Sequence, residues 1–328
     1  MSDQAKGVAV QSRLIPFPSS ISAEARAALA RLVNDDGVPL NALPTVPLPD
    51  DLAGWMELKA AADGHYAAAV KGLAGTLRAS VETVRTGEAV VHVATPETLI
   101  EPDCAYLDLH GGALVFGGGE ACRAQARLQA DQHGVLCYGV DYRMPPEHPF
   151  PAALDDAMAA YRHVLERHAP SRIVIGGRSA GGNLAAALLL RAKDEGLSLP
   201  AALVLLSPQV DLTESGDSFA VNRMVDVVLP GSLMRNNELY AGGANLSHPY
   251  LSPVFGDLAG FPPTFIQSGT RDLFLSNAVR MHRALRRANV DAELHVFEAM
   301  PHGGFQGNTP EDRELAAEVS RFVRGRWR

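Results

Sequence analysis

The chain has 328 residues, of which 47% are hydrophobic and 20% charged, and these proportions exclude a disordered chain, a coiled coil and a collagen-like fibre. The 29 lysines and arginines and the 37 acidic residues give a net charge of −8, which disfavours binding to the phosphate backbone of nucleic acid. Three scattered cysteines, and the absence of both an apolar leader and a long apolar stretch, predict a cytoplasmic protein without disulfides or a membrane span.

The first quarter of the chain differs from the rest and is predicted to be a helical cap segment over residues 1–80. One helix is expected over 22–34 with Ser22 as its N-cap, and a second over about 52–71, with a proline-rich link between them. Both helices are rich in alanine, whose small side chains bury little area. We therefore expect this cap to be weakly held.

Strands and helices alternate over residues 81–328, which define the predicted catalytic domain. A valine-rich hairpin broken by Gly87 comes first and predicts an antiparallel edge. Further strands are expected over 105–109, 135–140, 172–175, 201–206, 264–267 and 293–297, and helices over 122–133, 151–167, 181–193, 276–288 and 310–324. This alternation predicts an α/β fold with a mostly parallel central sheet and helices on both faces.

One long connection interrupts the alternation between Leu206 and Thr264. It is rich in proline and glycine and contains one short helix, expected over 231–240. Connections of this length are uncommon in compact domains unless they serve a function. We therefore predict a second cap segment, inserted at about residues 208–260.

The clearest local motif is the sequence GRSAGG at residues 177–182, which follows an apolar strand and opens an apolar helix. A G-x-S-x-G nucleophile elbow occurs in this strand–turn–helix context. Its glycines let two backbone segments approach the serine, and Ser179 would project its hydroxyl from the start of the helix. A phosphate-binding loop would need a Lys-Ser or Lys-Thr pair, which this loop lacks. Ser179 is therefore predicted to be a nucleophile.

A second motif, His110-Gly111-Gly112, directly follows the strand expected over 105–109. The two small residues would leave backbone N–H groups uncovered. An oxyanion hole needs such donors about 3 Å from the developing negative charge. Together with the downstream elbow, this motif predicts that the loop binds a reacting carbonyl oxygen.

A serine nucleophile also needs a base and an acid that orients the base. His302 follows the last predicted strand and Asp272 the strand before it, and active groups of open α/β sheets lie just beyond the carboxyl ends of strands. The order serine, aspartate, histidine is that of the α/β-hydrolases. Asp211 also follows a strand and is the reserve acid, whereas His295 lies inside a strand and is expected to be structural.

These motifs together resemble the hormone-sensitive-lipase-like group of carboxylesterases, the bacterial family IV esterases of the α/β-hydrolase superfamily. The resemblance is carried by the HGG motif, DYRMPPEHPFPAA at 141–153, the elbow, and the motifs around residues 272 and 302. It implies a sheet of about eight strands with a helical cap, no metal and no organic cofactor, and a homodimer formed through the last strand.

The same resemblance implies a role for each motif residue. Ser179 would be the nucleophile, His302 the general base and acid, and Asp272 the group that orients His302. The oxyanion hole would be formed by the backbone N–H groups of Gly111, Gly112 and Ala180. The charges of the DYR segment, Asp141, Arg143 and Glu147, would support the scaffold.

Three positions depart from the family pattern. Ala113 replaces the usual third glycine, and we expect it to keep a negative φ so that the oxyanion hole survives. Arg178 replaces the usual acidic residue before the serine, which reverses a charge close to the predicted nucleophile, and its side chain is not expected to face the site. The family often has a second acidic residue a few positions after the triad aspartate, and this chain lacks it. Ser276 lies near that position and is expected to cap the next helix.

The sequence therefore predicts a serine carboxylesterase that hydrolyses dissolved short- to medium-chain acyl esters, of about two to eight carbons, through an acyl-enzyme intermediate. Two alternatives remain open. The same triad could hydrolyse amides or lactones, and the same fold can serve as a non-catalytic small-molecule receptor.

Overall fold

The computed structural model describes residues 7–9, 11–42 and 46–327. In this part of the chain eight strands form one sheet: β1 Ser80–Thr86, β2 Ala89–Thr95, β3 Ala105–Leu109, β4 Leu136–Asp141, β5 Ile173–Arg178, β6 Ala202–Leu206, β7 Thr264–Gly269 and β8 Ala292–Phe297. Their order across the sheet is β1-β2-β4-β3-β5-β6-β7-β8. β2 pairs antiparallel with β1 and β4, and all other pairs are parallel. The predicted fold class and antiparallel edge are confirmed.

The α-helices of the described ranges are α1 Ala23–Ala30, α2 Leu52–Ala74, α3 Glu120–His133, α4 Ala152–Leu165, α5 Ala180–Asp194, α6 Ser218–Val221, α7 Met234–Ala241, α8 Leu275–Arg287 and α9 Pro310–Arg326. All of them except α6 match a predicted helix. The expectation that Ser276 caps a helix is wrong, because α8 already begins at Leu275. The Ser276 hydroxyl instead accepts a hydrogen bond from the N–H of Ser218, 2.8 Å away, and so fastens α6 to α8.

Two helical layers cover the sheet. Because successive side chains of a strand point to opposite faces, Leu107 and Leu109 pack with α4, α5 and α8, whereas Tyr106 packs with α1, α3 and α9. β5 alternates in the same way, with Ile175 on the first face and Val174 on the second. The apolar core therefore lies on both sides of the central parallel strands.

The two N-terminal helices are held in different ways. Ser22 caps α1 as predicted, since its hydroxyl accepts from the N–H of Ala25, and it also donates to the carboxylate of Glu311 at the start of α9. On α2, Trp55 is the only buried residue among the side chains described. The division into cap segments and catalytic domain stays a prediction.

Among the described residues, none of the helices combines the length and the apolar character that crossing a membrane requires. The cytoplasmic location and the dimer through β8 both stay predictions.

Candidate active site

The elbow places Ser179 at a sharp reversal between β5 and α5. Its backbone has φ 56° and ψ −118°, a conformation that a residue with a side chain rarely adopts. A Cβ atom on Gly177 would overlap the carbonyl of Gly181, and a Cβ on Gly181 would overlap the carbonyl oxygen of Leu109 on β3. Glycine is therefore required at both positions, and Ser179 is left at the N-terminus of α5.

The three side chains predicted to form a triad lie in one hydrogen-bonded chain. His302 Nε2 is 2.9 Å from Ser179 Oγ, and His302 Nδ1 is 3.0 Å from Asp272 Oδ1. All three are buried, with exposed fractions of 6% for the serine, 8% for the histidine and 0% for the aspartate. With the ring proton on Nδ1, the histidine donates to the carboxylate and accepts from the serine hydroxyl.

Several donors stabilise the ionised form of Asp272. Oδ1 also accepts from the N–H of Phe274, and Oδ2 accepts from the hydroxyl of Ser268, at 2.9 Å each. Burial raises the pKa of Asp272, but the adjacent His302, the N–H of Phe274 and the hydroxyl of Ser207 outweigh it and hold the pKa below its ordinary value. The group is therefore a carboxylate at neutral pH, ready to pair with an imidazolium.

A second buried carboxylate, Asp226, adjoins this chain and was not predicted from the sequence. It accepts the backbone N–H groups of Leu273, at 2.8 Å, and of His302, at 3.2 Å. Burial is the main cause that raises the pKa of Asp226 to about 6, and repulsion from Asp272 is the second cause. His302 acts in the opposite direction and lowers this pKa. Asp226 lies in the connection between β6 and β7, so it ties this connection to the loops that carry Asp272 and His302. In the sequence Asp226 is a single acidic residue in an apolar stretch, and this pattern does not indicate that it binds Leu273 and His302, 47 and 76 residues further along the chain.

The loop after β3 packs directly against the elbow. A Cβ on Gly111 would lie 3.5 Å from the Cβ of Ser179, and Ala180 is the first residue of α5, so its N–H has no acceptor within the helix. Gly112 has φ 130°, and a Cβ there would overlap the carbonyl of Phe116. Gly111 and Ala180 therefore flank the serine on the β3 side and on the elbow side, and Gly112 is the next residue of the loop after β3.

The expectation that Ala113 keeps a negative φ is wrong, because its φ is 52°. The following residue, Leu114, has a positive φ of 64° as well. Such left-handed residues cost about 1–2 kcal/mol each. The N–H groups of Val115 and Phe116 both donate to the carbonyl of Gly112, at 3.0 and 2.8 Å, and these bonds close the turn that holds the strained residues.

Comparison with known proteins agrees with this geometry. A family model described as an alpha/beta hydrolase fold matches residues 106–306. The chain belongs to the α/β-hydrolase family. It is 36% identical over 222 residues to an acetyl-hydrolase of Streptomyces hygroscopicus. The aligned region covers 66% of this chain and 74% of that protein.

Two solved structures are similar to this hydrolase over nearly its whole length. It is 34% identical to esterase E25, with a TM-score of 0.89, covering 97% of this chain and 98% of that one. It is 30% identical to an esterase of the bacterial hormone-sensitive lipase family, with a TM-score of 0.77, covering 94% of this chain and 99% of that one. These matches confirm the resemblance that the motifs indicate.

Both predicted cap segments of the hydrolase contact the loop after β3. Trp55 of α2 packs with Val115 and with Leu239 of α7 in a small apolar cluster, and its ring lies 6.5 Å from that of Phe116. Asp63 of α2 accepts the N–H of Gly117 through Oδ1, at 2.7 Å. The same loop therefore contacts the elbow on one side and α2 and α7 on the other.

Charged residues of the DYR segment have structural partners. Arg143 binds Asp156 with two parallel hydrogen bonds, of 2.8 Å from Nη2 and 3.0 Å from Nε. Asp141 accepts the N–H of Gly119, and Glu147 pairs with Lys59 of α2 at 2.9 Å. These contacts hold the loops around β4 and link them to α2.

One group of side chains in the described ranges could hold a metal ion. Ligand atoms of His110, Cys122 and Asp141 lie within 4.8 Å of one another. The imidazole of His110 is 4.1 Å from the ring of Tyr142 and stacks on it, and its Nδ1 binds the carbonyl oxygen of Gly111 at 2.7 Å. His110 therefore supports the loop after β3 through its bond to Gly111 and its stacking on Tyr142.

The reserve acid and the remaining histidine have other partners. Asp211 accepts from the N–H of Thr213 and the hydroxyl of Ser215, and it pairs with Arg280. Burial raises the pKa of Asp211, but these partners outweigh it and lower the pKa. His295 of β8 pairs with Glu318 at 2.8 Å. The structure therefore brings Asp272, and not Asp211, to His302.

Proposed function

We propose that this hydrolase is a serine carboxylesterase that cleaves short- to medium-chain acyl esters through an acyl-enzyme intermediate. Ester hydrolysis is supported by its relatives, which are named as an acetyl-hydrolase and as esterases. The observation that carries the finer proposal is the unbroken chain of hydrogen bonds from Ser179 through His302 to Asp272. This arrangement makes the serine a nucleophile, because a base accepts its proton and a carboxylate orients that base.

Acylation begins when Ser179 Oγ attacks the ester carbonyl and its proton passes to His302 Nε2. The imidazolium that forms is stabilised by the carboxylate of Asp272. Negative charge develops on the former carbonyl oxygen, where the N–H groups of Gly111, Gly112 and Ala180 would donate hydrogen bonds. The C–O bond to the alcohol then breaks, the alcohol takes the proton from His302, and the acyl group stays on the serine.

Deacylation repeats these steps with water. His302 takes a proton from a water molecule, whose oxygen attacks the acyl carbonyl. The tetrahedral intermediate releases the carboxylic acid, and the serine oxygen recovers its proton from the imidazolium. Amides and lactones pass through the same intermediate, but the names of the relatives favour esters.

The proposed preference for short acyl chains rests on what surrounds the loop after β3. Trp55, Val115 and Leu239 form a compact apolar cluster there, and the first two are fully buried. Bulky packed side chains leave room for a small acyl group more readily than for a long one. We therefore propose a pocket for single dissolved esters under a cover that includes α2 and α7.

Replacing Ser179→Ala is the decisive test. We expect kcat for p-nitrophenyl acetate to fall by about three to six orders of magnitude, because no other group replaces the nucleophile. Circular dichroism should show an unchanged fold. An organophosphorus reagent should label the wild type once, at Ser179. The matched control is Ser252→Ala, which removes a buried hydroxyl that donates to the carbonyl of Leu246. This variant should keep the wild-type kcat.

Substrates of increasing length complete this test. With p-nitrophenyl esters of two to sixteen acyl carbons, kcat/KM should fall beyond about eight carbons, and an acetanilide should react far more slowly. Labelling at another residue, or an active alanine variant, would contradict the nucleophile. A preference for long chains or for the anilide would contradict the proposed substrate while leaving the triad in place.

A further inference from the structure

Arg178 directly precedes the serine and contacts the loop that carries the histidine. Arg178 lies four residues after Val174 on β5. Because side chains alternate between the two faces of a strand, both residues face the side of the sheet that α1, α3 and α9 cover. Its guanidinium Nη1 donates a hydrogen bond to the backbone carbonyl of Gly303. Gly303 in turn directly follows His302, and 123 residues separate Ser179 from His302.

Two direct links therefore join the elbow to the histidine loop. Ser179 and Arg178 are covalent neighbours, as are His302 and Gly303. The serine binds the histidine at 2.9 Å, and the arginine binds the glycine. These four residues form a closed ring, so the position of the imidazole relative to the serine is fixed at two points.

The histidine loop needs fixing from outside because three of its residues are glycines with positive φ. Their φ values are 77° at Gly303, 102° at Gly304 and 84° at Gly307. Glycine loses more conformational freedom than other residues when it is ordered. Asp312 of α9 accepts the N–H groups of Phe305 and Gly307 at 2.9 Å each, which holds the far part of the loop. At its near end, Asp226 and the hydroxyl of Ser207 accept the N–H groups of His302 and Gly303, and Arg178 holds the carbonyl of Gly303.

The surroundings of Arg178 suit a cation held in a fixed place. Burial lowers the pKa of Arg178, and among the groups that raise it Asp312 has the largest effect. Burying a charge is costly unless partners compensate it. A side chain used only to fill space at this position would not need a guanidinium.

We propose that Arg178 is a positioning residue that anchors the carbonyl of Gly303 and thereby aligns His302 with both Ser179 and Asp272. This inference rests on the proposed function, because it concerns the alignment of the proposed base. A displacement of about 1 Å in a catalytic group can lower a rate about 100-fold. The contribution of Arg178 should therefore be seen in turnover and much less in substrate binding.

The test compares Arg178→Met with Arg178→Lys. Methionine has similar bulk but offers no N–H, whereas lysine can still donate to Gly303. With p-nitrophenyl acetate we expect the methionine variant to lose about 10- to 100-fold in kcat with KM changed less than about threefold. The lysine variant should recover kcat to within about fivefold of the wild type. Inactivation by an organophosphorus reagent should slow in parallel with kcat.

Arg172→Met is the matched control. Arg172 lies just before β5, at the opposite end of the strand from Arg178, and its Nη1 also donates to a backbone carbonyl, that of Trp327. Its loss should lower the urea midpoint and leave kcat unchanged. If Arg178→Met does not fold, Arg178→Gln replaces it, because this shorter side chain cannot reach Gly303 and should show the same loss of kcat.

The outcomes separate the inference from the proposed function. An inactive, unlabelled wild type would overturn both. A wild type that is active, with a methionine or glutamine variant that keeps its kcat, would overturn the inference alone. Equal losses in the methionine and lysine variants, or an equal loss of kcat in Arg172→Met, would also overturn it, because the effect would then be one of general stability.

Discussion

Two alanine-rich helices next to the site, α5 and α2, are held in opposite ways. Twelve of the 15 residues of α5 are buried, and its alanines and leucines pack against the central strands. α2 is longer, with 23 residues, yet Trp55 is the only buried one among the side chains described there. Alanine content alone does not decide burial. Leucines between the alanines hold α5 in the core, whereas charged residues such as Lys59 and Asp63 hold α2 by a few polar contacts.

This difference suits an esterase that must keep its proposed nucleophile, Ser179, still and also admit a substrate. The serine stands on the helix with the deepest burial, so its position is fixed by the core. α2 is attached through Trp55, the hydrogen bond that Asp63 accepts from Gly117, the ion pair of Lys59 with Glu147 and the hydrogen bond that Arg127 donates to the carbonyl of Ala74. Few buried contacts mean a low free energy of local opening. We therefore expect α2 to open more readily than the elbow.

The largest expected effect comes from adding one methyl group to the deeply buried helix, in Gly181→Ala. The new Cβ would overlap the carbonyl oxygen of Leu109 and lie 2.6 Å from that of His110, and neither backbone atom can move aside. We expect a loss of more than about 4 kcal/mol in the free energy of unfolding, or failure to fold, and no esterase activity. Urea unfolding and the ester assay measure both. A stable, active variant would show that the contact between the elbow and β3 is looser than its geometry indicates.

A smaller effect should come from an acidic side chain that is buried in the central sheet. Asp108 of β3 is 3% exposed, and burial raises its pKa to about 7, although Arg178 lowers it. The carboxyl in the unfolded chain has a pKa of about 4. Between these values the folded state retains a proton that the unfolded state releases. The contribution of Asp108 to stability therefore falls as the pH rises from about 4 to 7.

The variant Asp108→Asn removes this penalty. Relative to the wild type, it should gain about 2–3 kcal/mol in the free energy of unfolding between pH 5 and pH 8. Glu57→Gln on the exposed surface of α2 is the matched control and should show no such pH dependence. Urea unfolding at the two pH values measures the difference. An equal change in both variants would mean that Asp108 is not buried as a protonated acid.

Residues that follow strands were the most predictable part of the site, because topology alone places the carboxyl ends of parallel strands at one edge. This rule points to His302 and Asp272, with Asp211 as the reserve acid, and the elbow motif points to Ser179. The structure places Ser179, His302 and Asp272 within hydrogen-bond distance, while their catalytic roles stay a proposal. The end of β5 was less predictable. The sequence indicates an end at residue 175, yet the strand continues to Arg178. Glycine at position 176 allows this pairing with β3, because a Cβ atom there would overlap the hydroxyl of Tyr106.

Features that depend on distant contacts could not be predicted from the sequence. Asp226 lies in a connection with weak local patterning, and only the folded chain brings it to His302. The positive φ of Ala113 was likewise hidden, because alanine usually signals ordinary backbone and the turn around it imposes the conformation. The short α6 has four residues, too few for a helical period to be recognised.

The smallest expected effect distinguishes the two helices most directly. Gly64 lies in the middle of α2, and a Cβ there would meet no atom within 4 Å. Gly64→Ala should therefore stabilise the helix itself by about 0.5–1 kcal/mol. If α2 opens locally before the sheet unfolds, its amide hydrogens should exchange about two- to fivefold more slowly, while the urea midpoint of the whole protein stays the same. If α2 unfolded together with the core, as α5 must, the gain would instead appear in the urea midpoint. That result would contradict the view of α2 as a mobile cover, and with it the expectation that substrate enters by displacing this helix.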